Sequence, residues 1–129
     1  MYLIKYRVPD AVVINLGTND FSGLADPQSI ANQYKEAYIK FIYDINDKYK
    51  TVKTPAFFLA CGPISDVYCE YVLEVIEYFN YKDISVDYLN HSIPYSDDEL
   101  CCGHPSRRMH EKMADIATLT ISNNMKWEI

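Results

Sequence analysis

The sequence predicts an α/β fold in which helices pack on a parallel sheet. Short, apolar, β-rich runs alternate with longer runs of helical period, in the order β-α-β-α-β-loop-α. Each apolar run stops at a polar or Gly/Pro turn. Strands joined through a helix return parallel to one another, because such a crossover re-enters the same sheet. The 129 residues suit one domain, spanning residues 1–129.

The elements follow in order. Residues 11–16 (AVVINL) lie between Pro9-Asp10 and Gly17 and form the first strand. Asp26-Pro27 opens a helix, with Asp26 as N-cap and Pro27 in the first helical position. Ile30, Tyr34, Ala37, Tyr38, Phe41, Ile42 and Ile45 recur at helical spacing and predict its inward face. Lys48 and Lys50 suit its C-terminal end. Residues 56–61 (AFFLAC) form a second, buried strand, stopped by Gly62-Pro63. Ser65 or Asp66 caps the next helix, with Val67, Tyr71, Val72, Val75, Ile76 and Phe79 inward. Residues 84–89 alternate weakly and form a third strand. Residues 90–103 form a long loop with its own turn signals. Ser106 caps a final helix, with Met109, Met113, Ile116, Ala117 and Thr120 on one face.

Composition narrows the function. The chain is 49% hydrophobic and 23% charged, with a net charge of -6, so no nucleic-acid partner is expected. The densest cationic cluster, Arg107, Arg108 and Lys112, reads as a solvated helix face. No apolar run reaches the ~18 residues of a membrane span, and the leading MYLIKYRVPD lacks the pattern of a signal peptide. Cys61, Cys69, Cys101 and Cys102 are compatible with disulfides or free thiols, which leaves the compartment open. Tyr38, Tyr68 and Tyr71 read as core or core-edge groups with hydrated hydroxyls, a carbohydrate platform being the alternative.

In parallel sheets the functional loops gather at the C-terminal ends of the strands. The turn after the first strand is Gly17, Thr18, Asn19 and Asp20, more polar groups than a turn needs. Asn19 is an amide donor suited to a developing oxyanion, or a residue that tolerates turn geometry. His104 stands between Gly103 and Pro105, just before the last helix. That stiff setting aims an imidazole at the rim as a general base, or simply leaves a surface histidine at a helix start. Cys61, Cys101, Cys102 and His104 are soft zinc ligands by type. The spacing C-C-x-H is not a usual zinc pattern, so neither metal nor cofactor is assigned.

The segments "GTND" and "GHPS" resemble the third and last blocks of the SGNH, or GDSL-type, hydrolases. More closely, "PDAVVINLGTNDFS", "CGPISDVYCEYV" and "CCGHPSRRMHEKMA" resemble carbohydrate esterase family 2, the acetylxylan esterases and related sugar-ester deacetylases. The resemblance implies a three-layer α/β/α, flavodoxin-like fold. It implies a serine esterase acting on acyl, chiefly acetyl, esters of carbohydrate, whether small molecules or polysaccharide. His104 would be the general base, Asn19 the oxyanion-hole amide, and Gly17 the glycine that lets the loop turn beside it. Asp20 would hold the loop. The family setting implies an extracellular full-length protein.

The chain departs from that pattern twice. The family's "GDS" nucleophile block and its following glycine block have no match here. Ser22, Ser29, Ser65, Ser85, Ser92, Ser96, Ser106 and Ser122 all stand in other contexts. Cys101 and Cys102 occupy the positions where an Asp often orients the histidine, with Asp97 and Asp98 slightly upstream. The expectation is a C-terminal portion of a longer esterase whose first strand here is an uncovered edge, inactive alone. A degenerate, non-catalytic copy that binds carbohydrate or protein is the alternative.

Overall fold

The computed structural model describes residues 8–128, so the leading residues 1–7, on which the signal-peptide reading rests, lie outside it. The elements are β1 (Ala11–Ile14), α1 (Thr18–Phe21), α2 (Gln28–Tyr49), β2 (Ala56–Cys61), α3 (Cys69–Phe79), β3 (Val86–Asn90), a 3-10 turn (Asp97–Glu99), β4 (Leu100–Cys101), β5 (His104–Pro105) and α4 (Arg107–Met125). The main sheet is parallel, in the order β1-β2-β3, with Ala11 opposite Ala56 and Phe57 opposite Val86. β2 is central, and Phe57, Phe58, Leu59, Ala60 and Cys61 are fully buried. Such a run has no polar face because a middle parallel strand is covered on both sides.

The alternation of side chains along the strands sorts them into two cores. Ile14, Phe57, Leu59 and Cys61 face α2 and α3, joining Tyr34, Tyr38, Ile42, Tyr71, Val72, Val75 and Phe79. Phe58, Ala60 and Leu89 face α4, against Ile116, Ala117, Ile121 and Met125. The three layers α/β/α agree with the expected fold class.

Several boundaries move. β1 ends at Ile14, two residues early, and β3 is shifted towards Asn90. α2 begins at Gln28 with Pro27, not Asp26, in the N-cap position; the Asp26 carboxylate, one residue earlier, accepts the Gln28 N–H at 3.1 Å. The buried stripe of α2 is Ala31, Tyr34, Tyr38, Ile42 and Asn46. Ala37 and Phe41, expected inward, are exposed because that flank overhangs β1, an edge with no strand beside it among the described residues. α3 starts at Cys69, so Val67 lies in the preceding turn and is exposed. Within the expected long loop, the 3-10 turn and the small β4–β5 hairpin are additional. The hydroxyls of Tyr38 and Tyr68, expected to face water, are engaged by protein groups.

Candidate active site

Three segments, distant in sequence, meet at the C-terminal end of the sheet. The loop after β1 contributes Asn15, Thr18, Asn19 and Ser22. The loop after β2 contributes Gly62, Pro63 and Ile64, and the β5–α4 segment contributes Gly103, His104, Pro105, His110 and Met113. Together they line an open cleft of about 450 Å³. Asn19 and His104 therefore share one cleft. Asp20 does not line it; it borders a shallow hollow with Leu16, Tyr34 and Phe41 on the uncovered flank.

Tyr68 holds the first two loops together. Its ring is fully buried, stacked on Phe21 at 5.8 Å. Its hydroxyl lies 2.9 Å from Thr18 Oγ1 and accepts the Gly62 N–H at 3.4 Å. Asn15 adds a second tie, donating from Nδ2 to the Gly62 carbonyl at 3.2 Å. Tyr34 donates to the Leu16 carbonyl at 2.9 Å. Burial pushes the Tyr34 and Tyr38 phenols well above their ordinary pKa, so both stay neutral donors at physiological pH.

Gly17 sits where this tyrosine cluster closes on the chain. Its φ of 130° is a conformation that L side chains rarely adopt. A Cβ here would stand 2.5 Å from the Tyr68 ring and 2.9 Å from the Tyr34 hydroxyl. The glycine is thus required twice, by backbone and by space, immediately before the short α1 that carries Asn19.

His104 is placed by a different device. Cys101 pairs with His104 across the β4–β5 hairpin, leaving Cys102 and Gly103 as the turn, at φ 53° and 78°. Two consecutive positive φ values are what a type I′ hairpin turn needs. Glu99, buried at the foot of this hairpin, anchors it to α4. Its carboxylate lies 2.5 Å from Lys112 Nζ and 3.5 Å from Arg108 Nε, and accepts the Ser96 N–H at 3.0 Å. The Lys112 ammonium, then the Ser96 backbone, hold its pKa down at about 2. Its backbone carbonyl accepts the Ser106 N–H at 2.8 Å. The Ser106 hydroxyl caps α4 by accepting from Met109 N. The cationic cluster is therefore not a merely solvated face: Arg108 and Lys112 serve Glu99, while Arg107 pairs with Glu111.

The residues upstream of His104 do not supply an orienting carboxylate. Asp98 is engaged by the Ser96 hydroxyl and lies 3.6 Å from Arg108. No side-chain hydrogen bond to the His104 ring occurs among the described residues. Cys61 is joined to Cys69 in a disulfide, which removes it from the soft-ligand set considered above. Cys101 and Cys102 are free and exposed.

Sequence reasoning passed over four lining residues. Asn15 is polar inside an otherwise apolar strand run, which was its signal. His110 and Met113 follow Ser106 at helical spacing and so share its face. Ser22 had no signal beyond its nearness to Asn19. His91, at the end of β3, is buried with both ring nitrogens unpartnered. Burial lowers its pKa, and the Met113 backbone pulls weakly the other way. A larger cavity, about 570 Å³, is at the opposite end of the strands, between Lys53, Asp83 and Met125. It contains none of these groups.

A family model described as GDSL-like Lipase/Acylhydrolase matches residues 2–117. The chain therefore belongs to the GDSL-like lipase/acylhydrolase family, a family of hydrolases whose α/β fold is the one seen here. Among curated proteins, the Cellulase/esterase CelE of Acetivibrio thermocellus is 34% identical over 133 residues, an alignment covering 95% of this chain. The chain spans 15% of that relative's length. No solved structure matches it significantly.

Proposed function

We propose that this chain is the part of a serine esterase domain that carries the base and an oxyanion donor, acting on acetyl esters of carbohydrate. The observation that supports it most is the shared cleft of Asn19 and His104. A serine at the cleft would attack the ester carbonyl, and the His104 imidazole would take its proton. The Asn19 amide would donate to the oxyanion as the tetrahedral intermediate forms. His104 would then protonate the departing sugar oxygen, leaving an acetyl-enzyme that water hydrolyses by the same path. Gly17 fixes the turn on which Asn19 rides.

The serine is proposed to come from a strand that pairs with β1. The edge of β1, without a strand partner among the described residues, supports this: Val13 and Leu16 are both 49% exposed there. The name of the relative, a cellulase/esterase, favours carbohydrate as the alcohol half of the substrate. The Cys61–Cys69 disulfide favours an oxidising, extracellular setting.

A second reading, a carbohydrate- or protein-binding domain without catalysis, is favoured by one observation. Among the described residues no hydroxyl is hydrogen-bonded to His104. Both readings require the 129-residue chain alone to leave a chromogenic acetate ester intact, and they separate when a serine-bearing strand is supplied, which restores turnover only in an esterase portion. For the chain alone, the esterase-portion reading predicts no appreciable turnover, since an imidazole without its nucleophile is a weak catalyst. Turnover abolished by both Ser22→Ala and His104→Ala would overturn it, because the nucleophile would then be Ser22.

A further inference from the structure

Cys101 and Cys102 are neighbours in the chain, both exposed, with Sγ atoms 3.8 Å apart. They occupy the strand end and the first turn position of the β4–β5 hairpin, and Cys101 is the direct cross-strand partner of His104. Side chains of a cross-strand pair project from the same face of the ribbon, with Cβ atoms about 4.5–5.5 Å apart. A covalent change at Cys101 is therefore felt beside the His104 ring. We propose that Cys101 and Cys102 form a dithiol site that exchanges with small-molecule disulfides of the glutathione class, closing reversibly to a Cys101–Cys102 disulfide that repositions His104. This inference stands apart from the esterase reading.

The exchange balances without any further reactant. One cysteine thiolate attacks a sulfur of the small disulfide, forming a mixed disulfide and expelling one small thiol. The neighbouring thiolate attacks the protein-side sulfur of that bond and expels the second small thiol. Two electrons pass from the cysteine pair to the small disulfide, and the two thiol protons leave with the two products. The Sγ atoms must approach from 3.8 Å to the ~2.05 Å of a bonded pair, a movement that side-chain rotation and a twist of the turn supply.

The closed form is easily reopened. Adjacent Cα atoms are about 3.8 Å apart across a trans peptide, below the ~4.4–6.8 Å that disulfides favour. Bonds under such constraint are the readily reduced ones. Cys61 is fully buried and Cys69 partly so, which leaves the Cys61–Cys69 bridge less accessible to these reagents than the exposed Cys101 and Cys102. Turn geometry carries the change to His104: Cys102 and Gly103 both hold positive φ, and twisting that peptide alters the register in which His104 leaves the turn.

The test uses the 129-residue chain with its Cys61–Cys69 disulfide intact, treated with oxidised glutathione and read by mass spectrometry with peptide mapping. The expected product is a monomer lighter by about 2 Da, the two hydrogens lost, with the new bond mapped to Cys101–Cys102. Cys101→Ser and Cys102→Ser should instead each retain one glutathione. The His104 ring resonances should shift on closure in the unaltered chain, and mild dithiothreitol should restore both mass and spectrum. A retained glutathione on the unaltered chain, a covalent dimer or no reaction would overturn the site. Closure that leaves the His104 resonances unmoved would overturn the link to the cleft.

Discussion

At the scale of single residues, Gly17 and His91 make the firmest predictions. Gly17→Ala must both hold a positive φ and push the Tyr68 ring aside, since the new methyl would lie 2.5 Å from it. A cost of about 1–3 kcal/mol is expected from the backbone alone, more with the clash, measured as a fall in the urea midpoint. His91 sets a pH dependence. Its folded pKa is lowered by burial, so the unfolded chain binds more protons near and below the ordinary value of 6.5. Stability is therefore full above that range and is lost as pH falls through it towards the folded pKa, at no more than about 1.4 kcal/mol per pH unit. Urea unfolding at several pH values should show that slope, and His91→Leu should flatten it. Glu99 acts in a lower window. Its folded pKa is about 2 against an ordinary 4.5, so its contribution holds above 4.5 and fades between those values.

At the scale of elements, the site depends on two joints. The Cys61–Cys69 disulfide ties the end of β2 to the start of α3 across a separation of 8 residues. Loop-closure entropy for so short a span gives about 2–3 kcal/mol, so Cys61→Ala with Cys69→Ala should lower unfolding free energy by that amount. The Glu99 anchor is the second joint. Glu99→Ala should accelerate hydrogen exchange at the Ser106 amide, which now donates to the Glu99 carbonyl, while β2 amides stay protected. Protection unchanged at Ser106 would show that the hairpin holds itself. The main elements were legible in the sequence because β2 and α2 are governed by burial, and burial writes a period of hydrophobicity. Phe57 to Cys61 could hardly be read otherwise. Ala37 and Phe41 misled because periodicity assumes a partner on every apolar flank, and among the described residues β1 has none there. The His104 hairpin was illegible because two-residue strands have no period; only the turn chemistry of Cys102-Gly103 marks it. Asn19 and His104 were singled out by motif, whereas Ser22 enters the cleft through tertiary folding that leaves no local trace, and His110 is marked only by its helical spacing from Ser106.

At the scale of the whole molecule, the described fold is covered on two faces and open along β1. Val13, Leu16 and Phe41 are exposed near that edge, whose outer backbone groups have no strand partner among the described residues. Such an edge recruits other strands. Light scattering should show concentration-dependent association of the chain, and Val13→Lys should suppress it. The same edge is where the proposed serine-bearing strand would dock, so solubility and catalysis are expected to rise together when it is supplied. The most direct measurement joins a family segment carrying the "GDS" serine and its strand to this chain and follows acetyl-ester hydrolysis. The account predicts turnover that falls about 10²–10³-fold in Asn19→Ala, as for other oxyanion donors, and at least as far in His104→Ala. A folded chimera that carries the serine yet stays inactive, or one whose turnover is indifferent to His104→Ala, would contradict it.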